Sequence, residues 1–132
     1  MPPADRPAAR ARPVYLDLPR IRLPVPGIVS ILHRISGALL FLVGIPLLLA
    51  GVAMSLASPE SFAQLRGNFA HPLAKLVLLG LAWSYIHHFC AGVRFLLLDV
   101  HLGIELDAAR RSSVVVLVVS LALTVVVGAR LW

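Results

Sequence analysis

Charge is scarce in this chain, and acid is scarcer than base. Only 14% of its 132 residues are Asp, Glu, Lys or Arg, six acids against twelve bases. A soluble domain carries about a quarter. Apolar residues make up 59%, and the mean hydropathy is +0.90. A small globule has too much surface to hide so many apolar side chains. A free soluble domain is therefore a poor solution, and one small domain embedded in a lipid bilayer is the economical one. Cysteine occurs once, as Cys90, which excludes an intramolecular disulfide and any thiolate metal cluster built by this chain alone. Lying in an apolar run, it reads as an inert buried thiol. The sequence pI near 11.1 does not point to nucleic acid, because the arginines form no stripe interleaved with aromatics. They gather at the N-terminus and at the ends of apolar segments, a membrane-orientation pattern.

Proline is rationed by position. Residues 1–29 hold seven of the ten prolines together with Arg6, Arg10, Arg12, Arg20 and Arg22. Such a stretch cannot sustain a helix and is expected to be extended or loosely ordered. It lacks the short apolar core and small-residue cleavage site of a signal peptide, and its prolines would break the amphipathic helix of a transit peptide. The chain thus divides into a Pro/Arg-rich segment, 1–29, and an anchor domain, 30–132.

Three long apolar runs fill the anchor domain, at about 28–55, 73–100 and 113–130. Each meets the ~20 apolar residues that a spanning helix needs. The third is rich in valine and would resemble a strand in water, but lipid tolerates no open sheet edge. The expectation is an all-α membrane protein with three transmembrane helices, kinked at Pro46, joined by polar connections and belonging to a heteromeric helical bundle. No internal repeat is present. Basic residues are concentrated in the N-terminal segment, at Arg34, and in the second connection at Arg110 and Arg111. The positive-inside rule therefore places the N-terminus in the cytoplasm and the C-terminus outside.

Within the second run, S-Y-I-H-H-F-C-A-G-V-R sets His87 and His88 far from either end. Ionisable side chains at that depth face a bundle interior and serve function by default. A neutral imidazole is a good metal ligand; it can also simply hydrogen-bond a neighbouring helix. At about 100° per residue, His88 shares a face with Leu81, Ser84, Ala91, Gly92 and Phe95, so small residues flank it and leave clearance for a flat macrocycle. His87 shares a face with Trp83, Ala91 and Arg94 and is assigned to packing or a hydrogen bond. Adjacent histidines on one helix cannot hold opposite faces of one iron, so a six-coordinate haem would need a ligand from another chain.

A second polar cluster, S-I-L-H-R-I-S-G, opens the first run. Ser30 and Arg34 are four apart and stack on one helical face, with His33 beside them. A hydroxyl and a guanidinium there can hydrogen-bond a quinone carbonyl and favour negative charge on it; an arginine snorkelling to headgroups is the simpler use. Arg94 lies about 9 Å beyond His88 at 1.5 Å per residue, within reach, with His33 and Arg34, of haem propionates. His71 and His101 read as solvated loop residues.

Together, R-P-V-Y-L-D-L-P-R-I-R-L-P, S-I-L-H-R-I-S-G and H-F-C-A-G-V-R-F-L-L-L-D resemble the cytochrome b subunit of succinate dehydrogenase, the larger of its two membrane anchors, in the bacterial three-span form. The resemblance covers nearly the whole chain from Arg12. It implies that His88, four residues before Gly92, is an axial ligand of haem b. It implies that Ser30 and Arg34 help form the ubiquinone site, and that His33 lies near the propionates. Asp99 matches an acidic residue closing the second span. Phe95 departs from the pattern, since many members carry a second histidine there. The implied setting is a bacterial inner membrane. The implied partners are a second anchor supplying the other haem ligand, an iron–sulfur subunit and a flavoprotein, with no nucleic acid and no activity for the chain alone. A haem-free anchor and a proton-conducting small subunit are the competing readings.

Overall fold

The computed structural model describes residues 21–132; the Pro/Arg-rich segment expected at the N-terminus lies largely outside them. Four helices are present among the described residues: α1 (Val25–Ala57), α2 (Pro59–Ala70), α3 (Pro72–Asp99) and α4 (Leu106–Leu131). No strand occurs among them. α1, α3 and α4 are long and apolar enough to cross a membrane, and α3, which carries the histidine pair, is the least apolar of the three. The all-α, three-span expectation holds.

α1 starts at Val25, earlier than expected, because Pro24 caps it in an extended conformation and Pro26 occupies its first turn. A first-turn proline loses nothing there, since its missing N–H would have no intrahelical partner. Around Pro46 the ladder changes character. Leu40–Gly44 form a π-turn in which the Ile45 N–H reaches back to the Leu40 carbonyl. A proline has no N–H to give the carbonyl four residues back, and its ring crowds that same carbonyl; a π-turn is one of the ways a helix absorbs that change. The consequence is visible in the packing. Val25–Leu39 lies against both α3 and α4, whereas Ile45–Ala57 touches neither and leans on α2. An open apolar groove of about 1230 Å³ separates it from the first half of α3.

The first polar connection is a helix, not a loop. Ser58 is its N-cap, its hydroxyl accepting the Ser61 N–H at 3.2 Å; Pro59 starts the helix and Glu60 faces its positive end. His71 and His101, read as merely solvated, both have backbone duties. His71 Nδ1 caps α3 by accepting the Leu73 N–H at 3.2 Å. His101 adopts φ 64° just past α3. There the His101 N–H bonds the Leu98 carbonyl and the Leu102 N–H bonds the Leu97 carbonyl, each at 2.9 Å. That is the Schellman pattern closing a helix end, with histidine where glycine is commoner.

α3 and α4 meet along small and hydroxyl residues. Ser84, His87, Ala91 and Arg94 line one side; Ser113, Val116, Ser120 and Thr124 line the other. Small residues let helix backbones approach where no hydrophobic force distinguishes helix from lipid. Their hydroxyls bond their own helices: Ser84 to the Gly80 carbonyl at 2.9 Å, Ser113 to Ala109 at 2.7 Å and Thr124 to Ser120 at 2.7 Å. Val29 of α1 closes the junction against Ala91 and Val116.

The Ser58 cap gives a direct check on α2. Losing such a cap costs about 1 kcal/mol, roughly a fivefold change in local opening. Ser58→Ala is expected to speed amide hydrogen exchange across Pro59–Ala70 by about that factor while leaving the spans unchanged; equal exchange in both proteins would show that the cap does not hold the helix.

Candidate functional site

His88 sits at the edge of the α1–α3 contact, half-buried. Its Nδ1 lies 3.0 Å from the His33 backbone carbonyl and 3.3 Å from Ser36 Oγ. A carbonyl only accepts, so Nδ1 carries the proton and donates it. Ser36 Oγ in turn donates to the same carbonyl at 2.9 Å, leaving its lone pairs available to Nδ1–H. With Nδ1 protonated, Nε2 presents a bare lone pair, the form in which imidazole binds a metal. The His33 ring stacks on His88 at 4.1 Å with planes 12° apart. Phe95 lies against His33 at 5.2 Å, and the Arg94 guanidinium lies 5.3 Å from the Phe95 ring centre. His88, His33, Phe95 and Arg94 are therefore one contiguous array. Phe95 links the two basic side chains at the position where the family resemblance leads one to look for a histidine.

His87 occupies a different environment. It is 0% exposed, stacked on Trp83 at 5.4 Å, with Nδ1 3.2 Å from Ser120 Oγ. Since Ser120 Oγ donates to the Leu117 carbonyl at 3.1 Å, the histidine donates from Nδ1, and Nε2 has no hydrogen-bond partner among the described residues. A macrocycle could reach that nitrogen only by parting α3 from its neighbours.

Two sequence expectations are corrected here. Ser84 and Ala91, assigned to the His88 face as clearance, are fully buried in the stripe that holds His87 and packs on α4. Of that group only Gly92 and Phe95 stay beside the His33–His88 pair; a Cβ on Gly92 would stand 3.7 Å from His33 Nε2. On the α1 side, the room that a glycine provides is filled by the His88 ring itself. A Cβ on Gly37 would lie 2.8 Å from His88 Cε1, closer than atoms tolerate. Ser36 and Gly37 went unassigned in the sequence, although they follow His33 by three and four residues and so share its face.

Arg94 is 6% exposed and tied to α4. Its Nε donates to Ser112 Oγ at 3.0 Å and an Nη2 hydrogen to the Ala109 carbonyl at 3.2 Å. A guanidinium has five N–H groups, so donors remain beyond these bonds. At the other side of the array, Ser30 is half-buried and Arg34 exposed on the first turns of α1. The structure thus gathers His33, His88 and Arg94 around Phe95, and leaves Ser30 and Arg34 on the adjoining turn of α1. Among the described residues no three His, Cys, Asp or Glu side chains converge as a metal-ligand set.

Comparison with known proteins bears on the whole architecture. Residues 8–127 match the succinate dehydrogenase/fumarate reductase transmembrane subunit family. The chain is 36% identical over 122 residues to a succinate dehydrogenase cytochrome b556 subunit of Coxiella burnetii, covering 92% of this chain and 97% of that one. It is 33% identical over 114 residues to the protein of the same description from Paracoccus denitrificans, covering 86% and 87% respectively. A third relative so described, from Rickettsia prowazekii, is 28% identical over 113 residues, with the same coverage. With three membrane-crossing helices and a match along almost its full length, the chain belongs to the succinate dehydrogenase/fumarate reductase transmembrane subunit family.

Proposed function

We propose that this chain is the haem-bearing anchor of a succinate:ubiquinone oxidoreductase in a bacterial inner membrane, inactive alone. Its partners would be a second anchor, an iron–sulfur subunit and a flavoprotein. The observation that carries the reading is the state of His88: a ring whose Nδ1–H is committed to the His33 carbonyl at 3.0 Å, at the edge of the bundle. The relatives' description as cytochrome b556 subunits supports haem b as the group. When bound, that group supplies one-electron transfer.

This chain's own contributions follow from placement. His88 would hold the haem iron through Nε2, together with a ligand from the second anchor. His33, Arg34 and the unused donors of Arg94 would meet the propionates, since cationic groups stabilise buried carboxylates. Ser30 would donate its hydroxyl proton to a carbonyl of ubiquinone. Arg34, four residues along and on the same face, would stabilise the negative charge that accumulates as the quinone is reduced. Arg34 is exposed and Ser30 only half-covered, which leaves room for a substrate between this turn and a neighbouring subunit. The bilayer confines that substrate to the plane in which the turn lies.

In purified complex, His88→Leu is expected to abolish or severely alter the reduced-minus-oxidised b-type band, while His87→Leu largely spares it; the reverse pattern would exchange the roles of the two rings. Ser30→Ala removes a hydrogen bond to a group gaining charge, and such bonds are worth about 1.5–3 kcal/mol. Quinone reduction is accordingly expected to slow by roughly tenfold or more, with succinate oxidation through an artificial acceptor nearly unchanged. Equal losses in both assays would trace the effect to assembly.

A further inference from the structure

We propose that Ser36 and Gly37 are positioning residues for His88, setting the orientation and protonated nitrogen of the ring that faces the haem. The proposal rests on the reading of His88 as axial ligand.

Three observations carry it. First, the ring is seated on the α1 backbone itself. Ideal Cβ geometry at Gly37 falls 2.8 Å from His88 Cε1 and 3.2 Å from Nδ1, so any other residue there must push the imidazole away. Glycine costs a helix about 1 kcal/mol against alanine, and in α1 this one leaves the space in which the His88 ring lies with Nδ1 on the His33 carbonyl. Second, Ser36 is fully buried, and its hydroxyl stands 3.3 Å from Nδ1 while donating to the same carbonyl at 2.9 Å. Serines in helices often bond a carbonyl three residues back with no further role. Here the hydroxyl's free lone pairs point to a second acceptor for Nδ1–H, which disfavours the alternative tautomer. Third, the other glycines of α1 differ. A Cβ on Gly51 meets nothing within 4 Å, and one on Gly44 meets only ordinary contacts at 3.5 Å and beyond. The close approach is particular to Gly37.

The chemistry follows from outer-shell control of metal ligands: the partner of the remote imidazole nitrogen fixes ring orientation and raises the basicity of the ligating one. Ser36 and the His33 carbonyl would therefore set the plane of the axial ring and its donor strength, and with them the haem's spectrum and potential.

The test uses intact complex purified from membranes, comparing wild type with Gly37→Ala, Ser36→Ala, Gly51→Ala and His88→Leu. The readouts are haem content, the electron paramagnetic resonance signal of the oxidised low-spin haem and the fraction of reduced haem that binds carbon monoxide. Gly37→Ala is expected to shift the low-spin signal and raise the carbon-monoxide-reactive fraction at least tenfold. Ser36→Ala should shift the signal in the same sense with a smaller gain in reactivity. Gly51→Ala should match wild type. If Gly37→Ala does not assemble, the signal from Ser36→Ala decides alone. Signals from both variants indistinguishable from Gly51→Ala would overturn the proposal while leaving His88 as ligand. An unaltered b-type band in His88→Leu would instead remove the reading on which the proposal stands.

Discussion

Lipid offers no hydrogen bonds, so each polar group carried into the bilayer must find its partner in protein. That constraint orders the described helices, with His87 Nε2 the one buried side-chain polar atom left without a partner among them. Along the α3–α4 contact it is met locally: hydroxyls turn back onto their own helices and leave only short side chains in the seam. Because the seam is narrow, a large polar side chain placed in it is held firmly. Arg94 and His87 are so placed, each bonded across to α4. His88, one residue further round the helix, misses the seam and meets α1 instead. Its Nδ1 finds a backbone carbonyl there, and its other nitrogen has no hydrogen-bond partner among the described residues. Adjacent residues thus take opposite parts, one closing the bundle and one facing outward, through a rotation of about 100°.

The spans were legible because their signal is redundant: length, composition and the position of arginines all point the same way. α2 was legible in principle. Ser58, Pro59 and Glu60 spell an N-cap, a first-turn proline and a dipole-matched acid, but the polarity of the segment masks that signal, because a short polar stretch between two spans has the composition of a loop. The π-turn at Leu40–Gly44 has no comparable signature. Proline at position 46 marks the place of the disturbance and leads one to expect a kink, but nothing in the sequence says that the helix widens there into a π-turn. His71 and His101 illustrate the same limit at the other scale. A histidine in a polar loop looks solvated until the backbone shows an N–H aimed at its ring or a left-handed φ.

For the candidate site, motif and helical angle picked out the two rings as different in kind, and the structure separates them. The angle alone misassigned the small residues. Ser84 and Ala91 lie between the two histidine directions, and the sequence of one helix does not say which flank its own partner will cover. α4 covers the flank of His87, so those residues became packing. The room that the His88 ring fills comes from α1, at Gly37, which is distant in sequence and close only once α1 and α3 are docked. Sites assembled across two helices hide half their determinants from a reading of either one.

The same docking explains why this chain is built to be incomplete. Past the π-turn α1 leaves α3, and large apolar side chains from Phe41 to Leu49 and from Leu73 to Val77 are exposed. In water this would be a liability, but against lipid or another helix it costs nothing. What distinguishes the surface near His88 from the rest of this apolar girdle is chemical, not hydrophobic. It carries the half-buried imidazoles of His33 and His88 and the exposed Arg34 guanidinium, where most of the exterior carries aliphatic carbon. A helix packed there without polar groups of its own would leave the exposed guanidinium unpaired, at a cost of several kcal/mol in hydrocarbon. A polar surface of that kind, unlike the aliphatic girdle, distinguishes one neighbouring helix from another.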